Sequence, residues 1–106
     1  MRHIYFILVS ISLCSCDPSL EDIEKMPEEN RGQALYEKFC LQCHGGDGDL
    51  GSSGAPELSK SILSDEEVIE IIKYGRVEKG MPAHENLLGS DKNIVLVKEY
   101  IKSFRN

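Results

Sequence analysis

This chain of 106 residues lacks three features that would place it in common protein classes. It has 12 Lys and Arg residues against 18 Asp and Glu, and no basic cluster that could neutralise phosphates, which argues against a nucleic-acid partner. After His44 it has no cysteine and only one histidine, His84, which is too few ligands for a closed zinc site. The apolar run at residues 4–13 has ten residues, whereas a membrane-spanning helix needs about 20.

The size and the net charge of the chain indicate its domain number, its kind of docking partner and its need for a stabilising group. The length is enough for one small domain. The formal net charge of −6 suits docking partners that present basic patches. A domain this short buries only a modest fraction of its surface, so it usually needs a covalent or metal-based cross-link to stabilise its fold.

The most informative stretch is residues 40–44, Cys-Leu-Gln-Cys-His. Two thiols three positions apart, followed directly by an imidazole, are the attachment signature of c-type haem. Cys40 and Cys43 can each add to one haem vinyl group while His44 reaches the iron. The covalently bound porphyrin would then stabilise this small domain. A thioredoxin-like dithiol is an alternative, but it needs a βαβ context that is missing here. Half of a zinc site is another alternative, and it lacks further ligands.

The first 15 residues have the composition of a signal peptide. Arg2 gives a positive start before the apolar run, which has the length of a signal-peptide core. The sequence Leu-Cys-Ser-Cys at residues 13–16 resembles the lipobox of bacterial lipoproteins, which predicts cleavage before Cys16 and lipid attachment to it. The alternative is an ordinary secreted signal with Cys16 free or paired with another thiol.

Residues 16–30 are predicted to be a lipid-anchored acidic tether. Between residues 17 and 30 the chain has two prolines and six carboxylates, and this leaves little apolar surface for folding. Fully extended, these residues would reach roughly 50 Å. The alternative is that Leu20, Ile23 and Met26 pack on the following domain.

Three helices are predicted in residues 31–106, which form the folded domain. The first covers about residues 32–40, with Gly32 on its apolar stripe, and it positions both thiols. The second begins after Ser64, which forms a capping box with Glu67, and ends at Gly75. The third spans about residues 91–104.

A glycine-rich loop at residues 45–61 follows the thiol motif. Its glycines allow it to lie close to a flat ligand, and it contains Pro56, twelve positions after His44. An axial histidine needs its second ring nitrogen hydrogen-bonded, and the Pro56 carbonyl is the candidate acceptor, although Pro56 could be a turn former alone. A calcium loop is excluded because Gly51 and Leu58 stand where an EF-hand needs ligands.

Met81 is the candidate for the second axial ligand. It lies between Gly80 and Pro82, outside any periodic apolar stripe, and packing alone explains such a position poorly. A methionine opposite a histidine raises the reduction potential of haem iron. His84 is the rival ligand, although the sequence predicts an exposed loop histidine without a role, and Met26 is a remote third choice.

These features together resemble a small bacterial class I cytochrome c. The resemblance covers residues 31–106, and its most specific part is the motif at residues 40–44. It implies an all-α fold of three main helices around one covalently attached haem c, with the iron held by His44 and Met81. It also implies that the first and last helices cross where Gly32 faces Tyr100.

The predicted function is electron transfer rather than enzymatic catalysis. The chain is expected to be a monomeric, membrane-tethered monohaem cytochrome outside the cytoplasm, anchored to a bacterial membrane and facing the periplasm or the cell exterior. Its expected partners are a terminal oxidase, a quinol-oxidising complex or a dehydrogenase. The alternative is a haem-based sensor or a peroxidase-like protein with an open distal position. A non-haem dithiol protein is the third possibility.

Overall fold

The computed structural model describes residues 17–105, and within that range the chain is helical. It has no β-strand there, only an isolated antiparallel bridge between Arg76 and Met81. The predicted all-α fold is therefore confirmed. The predicted signal peptide and Cys16 lie outside the described residues. Residues 17–105 contain six α-helices: α1 (Leu20–Glu24), α2 (Glu28–Phe39), α3 (Leu41–His44), α4 (Asp65–Tyr74), α5 (Glu85–Leu88) and α6 (Asp91–Lys102).

The crossing of α2 and α6 organises the fold, and it occurs at Gly32 as the sequence predicts. A Cβ atom placed on Gly32 would lie 2.5 Å from the backbone oxygen of Leu96 and 3.5 Å from Cβ of Tyr100. Only glycine allows the two helix backbones to approach this closely. The crossing buries one face of each helix, and α4 also packs against α6. The core consists of Ile23, Leu35, Tyr36, Val68, Ile72, Leu88, Ile94, Val97 and Ile101.

The beginning of α4 has the predicted capping box. The Ser64 hydroxyl accepts a hydrogen bond from the Glu67 amide, and the Glu67 carboxylate accepts one from the Ser64 amide. Helix α4 ends at Tyr74, and Gly75 follows with a φ of +70°. These two signals fix the helix at both ends, as the sequence predicts.

The prediction of an extended tether is wrong for residues 20–26. This part of the segment packs on the domain, which is the alternative that the sequence left open. Ser19 caps α1, and the side chain of Ile23 is completely buried in the core. Leu20 and Met26 pack beside it. One apolar face of three residues is enough to hold this segment on the domain, while its carboxylates face the solvent. The guanidinium of Arg31 donates to the carbonyls of Glu24 and Met26, which secures the end of α1.

Other helix bounds also differ from the sequence prediction. The first main helix begins at Glu28, four residues before Gly32, and the last one ends at Lys102, two residues before Phe104. The short helices α3 and α5 have four residues each and have no periodic signal in the sequence. Within residues 17–105, none of the helices is both long and apolar enough to cross a membrane.

Candidate haem site

Both thiols and the imidazole of the motif lie on one turn of helix. Helix α2 ends at Phe39, and α3 begins at Leu41, so Cys40 lies at the junction. The amide of Cys40 donates to the carbonyl of Tyr36 at 2.8 Å. Residues three positions apart on a helix share a face, so the thiols of Cys40 and Cys43 can reach the same side of a flat molecule.

The two thiols differ in their environments. Cys43 is exposed, whereas Cys40 is half-buried. Burial, and to a lesser degree the neighbouring Cys43, raises the pKa of the Cys40 thiol to about 12. Both cysteines are free, so neither is committed to a disulfide. The pair can therefore form thioether bonds.

His44 has the protonation state that a metal ligand requires. Burial lowers its pKa, so the imidazole is neutral and keeps a nitrogen lone pair. The Pro56 carbonyl lies close enough to counter part of this shift, and His84 adds a smaller lowering. Nδ1 of His44 is buried but forms no hydrogen bond of standard geometry with a described residue. The structure thus brings Pro56 next to His44, at a distance or angle that is still imperfect for a hydrogen bond.

Hydrogen bonds fasten the loop that carries Pro56. The amide of Leu50 donates to the His44 carbonyl at 2.9 Å, and the amide of Leu58 donates to the Gly48 carbonyl at 3.0 Å. The Asp49 carboxylate accepts from the amide and the hydroxyl of Ser59, at 3.2 and 2.7 Å. These contacts fold the loop back on itself and bring its second half to the imidazole.

Met81 lies in a second loop that packs against the end of α4. Its amide and carbonyl both pair with the backbone of Arg76, at 3.1 and 2.9 Å. A Cβ atom on Gly75 would lie 2.5 to 2.7 Å from backbone atoms of Met81, Pro82 and Ala83. Gly75 therefore allows the loop to approach the helix end. The backbone position of Met81 is fixed, and its side chain is half-buried.

His84 is buried, contrary to the sequence prediction of an exposed loop residue. Only 7% of it is exposed, and its ring centroid lies 6.5 Å from that of Phe39, the residue before Cys40. Burial lowers its pKa, and the carbonyls of Pro82 and Phe39 oppose this effect. Its backbone connects α4 to α5, because its amide donates to the Ile72 carbonyl and its carbonyl accepts from Leu88. His84 precedes a helix without a periodic signal, so sequence patterns could not predict its burial.

These residues fit a covalently attached haem. Two free thiols lie beside a neutral imidazole whose Nδ1 has no hydrogen-bond partner among the described residues. Hydrogen bonds tie the loop at residues 45–61 to α3 and the loop at residues 75–84 to α4. Among residues 17–105, no group of three or more His, Cys, Asp and Glu side chains could hold a metal ion without a porphyrin.

Comparison with known proteins identifies the family. The family model described as cytochrome c oxidase, cbb3-type, subunit III matches residues 27–101, which is well over half of the chain. No curated protein matches the chain, and no solved structure does. Domains of this family bind haem c covalently and use its iron for electron transfer, so the predicted cofactor is confirmed. The chain belongs to this family of cytochrome c domains.

Proposed function

We propose that the protein is a membrane-tethered electron carrier with one haem c per chain. The observation that carries this proposal is the arrangement around His44, where two free thiols, a neutral imidazole and the Pro56 carbonyl lie together. The bound haem supplies one-electron chemistry through its iron. No residue of the site needs to act as an acid, a base or a nucleophile during electron transfer.

Each residue of the motif has a separate role in this proposal. Cys40 and Cys43 would form the two thioether bonds that attach the porphyrin to the chain. His44 is the axial ligand on that side, in the neutral form that its lowered pKa favours. The Pro56 carbonyl accepts the N–H of the ring nitrogen that does not bind iron, and this orients the ring.

Met81 is proposed as the opposite axial ligand. Its backbone pairing with Arg76 and the contact of its loop with Gly75 support this role, because a rigid loop holds the thioether in one position. A thioether opposite an imidazole favours the ferrous state and so raises the reduction potential. His84 is proposed to pack in this region without binding the iron.

The proposed electron partner is a terminal oxidase. The family description names a subunit of a cytochrome c oxidase, and this favours an oxidase over a quinol-oxidising complex or a dehydrogenase. The net charge of −6 suits a basic docking surface on that partner. Lipid attachment at Cys16 is proposed to keep the domain at a bacterial membrane, on the periplasmic or outer side.

A spectroscopic comparison of two methionine variants tests the ligand assignment. In the haem-loaded protein, Met81→Ala should lower the reduction potential. The decrease should be a sizeable part of the roughly 0.8 V range over which axial ligands and surroundings vary the potential of haem proteins. The substitution should also allow carbon monoxide to bind the ferrous iron. Met26→Ala is the matched control, because Met26 packs on the core at the end of α1.

Three results would contradict parts of this proposal. An unchanged potential in Met81→Ala would remove Met81 from the ligand set. Wild-type protein that binds carbon monoxide without any mutation would indicate an open distal position, as in a haem sensor or a peroxidase-like protein. Protein that stays colourless after expression with a cytochrome maturation system would exclude haem attachment.

A further inference from the structure

Tyr36 connects the packing of α2 to the backbone beside His44. Its side chain is completely buried, with its ring centroid 5.3 Å from that of Tyr100 and 5.2 Å from that of Phe104. The hydroxyl points out of this aromatic cluster and donates a hydrogen bond to the Gly45 carbonyl at 2.5 Å. Packing alone does not explain the hydroxyl, because phenylalanine would fill the same space in the cluster.

Gly45 is the residue directly after His44, and the backbone here is held from several directions. The Gly45 amide donates to the Leu41 carbonyl at 2.8 Å, and the His44 carbonyl accepts from the Leu50 amide at 2.9 Å. Those two bonds join the motif to itself and to its own loop. The Tyr36 bond differs, because it ties the motif to α2 and hence to the helix crossing in the core.

We propose that Tyr36 is a positioning residue whose hydroxyl holds the Gly45 carbonyl and thereby fixes the orientation of the His44 imidazole towards the haem. This inference rests on the proposed role of His44 as an axial ligand. Burial raises the pKa of Tyr36 well above its usual value, so the hydroxyl keeps its proton and stays a donor. Rigid packing of the ring adds precision, since a donor on a mobile side chain would fix nothing.

Paired tyrosine variants of the haem-loaded full chain test the proposal. Tyr36→Phe keeps the ring and removes only the hydroxyl. Tyr100→Phe makes the same change in the same aromatic cluster, and among the described residues the Tyr100 hydroxyl has no hydrogen bond to the motif. Two measurements apply to both variants: the hyperfine-shifted haem methyl resonances of the ferric protein, which report the orientation of the axial imidazole, and the amide hydrogen exchange of Gly45 and Leu50.

Tyr36→Phe should change the pattern of haem methyl shifts. It should also accelerate exchange at the two amides by about fivefold relative to global unfolding, the factor expected for one lost neutral hydrogen bond. Tyr100→Phe should leave the shift pattern and the relative exchange rates as in the wild type. Unchanged shifts and unchanged exchange in Tyr36→Phe would overturn the proposal.

Two further measurements keep the outcome unambiguous. Wild-type protein and a His44→Ala variant are compared by optical spectroscopy first, because identical coordination in the two would refute the ligand assignment itself rather than the role of Tyr36. If Tyr36→Phe yields no folded protein, the wild type is examined for its Tyr36 hydroxyl proton. A slowly exchanging hydroxyl resonance near Gly45 supports the proposal, and rapid exchange with water overturns it.

Discussion

His84 is a buried imidazole three residues beyond Met81, and its ionisation links the stability of the fold to pH. Burial holds its pKa below the ordinary value of 6.5 in the folded chain. The unfolded chain therefore binds a proton more readily than the folded chain does. As the pH falls below about 6.5, protonation favours unfolding, and the stability decreases until the folded pKa is reached.

Removing this imidazole should reduce that pH dependence without abolishing it, because burial also lowers the pKa of His44. In the haem-loaded protein, urea denaturation between pH 7.5 and pH 5.5 should show the wild type losing stability below pH 6.5, with His84 contributing at most about 1.4 kcal/mol per pH unit. His84→Gln should have a flatter profile over the same interval. The carboxylates with lowered pKa, Glu28 and Asp65, titrate below this interval. Equal slopes in the two proteins would contradict the assignment to His84.

Individual residues of the site differ in how far the sequence alone predicts them. Residues 40–44 carry their chemistry in their local spacing, so haem attachment could be predicted without any fold. The approach of Pro56 to His44 could be expected from the chemistry of an axial histidine. The burial of His84 and the bond from Tyr36 to Gly45 depend on tertiary packing, and no local pattern contains that information.

At the scale of elements, the close approach of α2 and α6 determines how the motif helix is held. A Cβ atom added at Gly32 would overlap with backbone atoms of α6, because the nearest atoms are the oxygen and carbon of Leu96. Backbone atoms cannot move aside as the end of a flexible side chain can. Two effects of a Gly32→Ala substitution oppose each other. Alanine favours a helix by about 1 kcal/mol over glycine, whereas the steric overlap forces the helices apart.

The steric effect should dominate in Gly32→Ala. We expect a net decrease of about 1–3 kcal/mol in the free energy of unfolding, the range found when well-packed cores are overfilled. Gln33→Ala is the control, because Gln33 is exposed on the same helix and should change stability by less than about 0.5 kcal/mol. Chemical denaturation of both variants measures the difference. A Gly32→Ala protein as stable as Gln33→Ala would show that the helices can separate without cost.

The elements that composition failed to predict are short. Helix α1 has five residues, three of them acidic, and Ile23 alone supplies its fully buried contact. A segment this short has no helical stability of its own. It is helical because the core offers a place for Ile23 and because Arg31 binds the carbonyls at its end. Long helices with a full apolar stripe, such as α4 and α6, were predictable because their pattern repeats.

The position of α1 changes how the whole molecule would sit at a membrane. If Cys16 carries a lipid, only residues 17–19 separate the anchor from the start of α1 at Leu20. Those few residues reach about 11 Å at most, compared with the roughly 50 Å of a fully extended tether. Asp17 is also paired with Lys38 at 3.1 Å, and Lys38 lies over the ring of Phe39 beside the haem motif. The haem should therefore stay close to the bilayer and exchange electrons with a partner embedded in it.

Energy transfer from labelled lipids to the haem should measure this distance. Lipidated protein is bound to phosphatidylcholine vesicles that carry a fluorophore on some headgroups, and the haem quenches that fluorescence in a distance-dependent manner. Insertion of 20 Gly and Ser residues after Asp17 lengthens the connection by about 25 Å on average. We expect strong quenching by the wild type and markedly weaker quenching by the insertion variant.

Two controls separate a long tether from a missing anchor, and each alters one end of the molecule only. The same 20 residues added after Asn106 should leave the quenching as in the wild type, because that insertion does not lengthen the connection to Cys16. Cys16→Ser should neither float with the vesicles nor quench, and flotation of this variant would refute lipid attachment itself. Flotation of all anchored variants, combined with equal quenching by the wild type and the Asp17 insertion, would instead show that α1 detaches and that the domain already moves freely above the membrane.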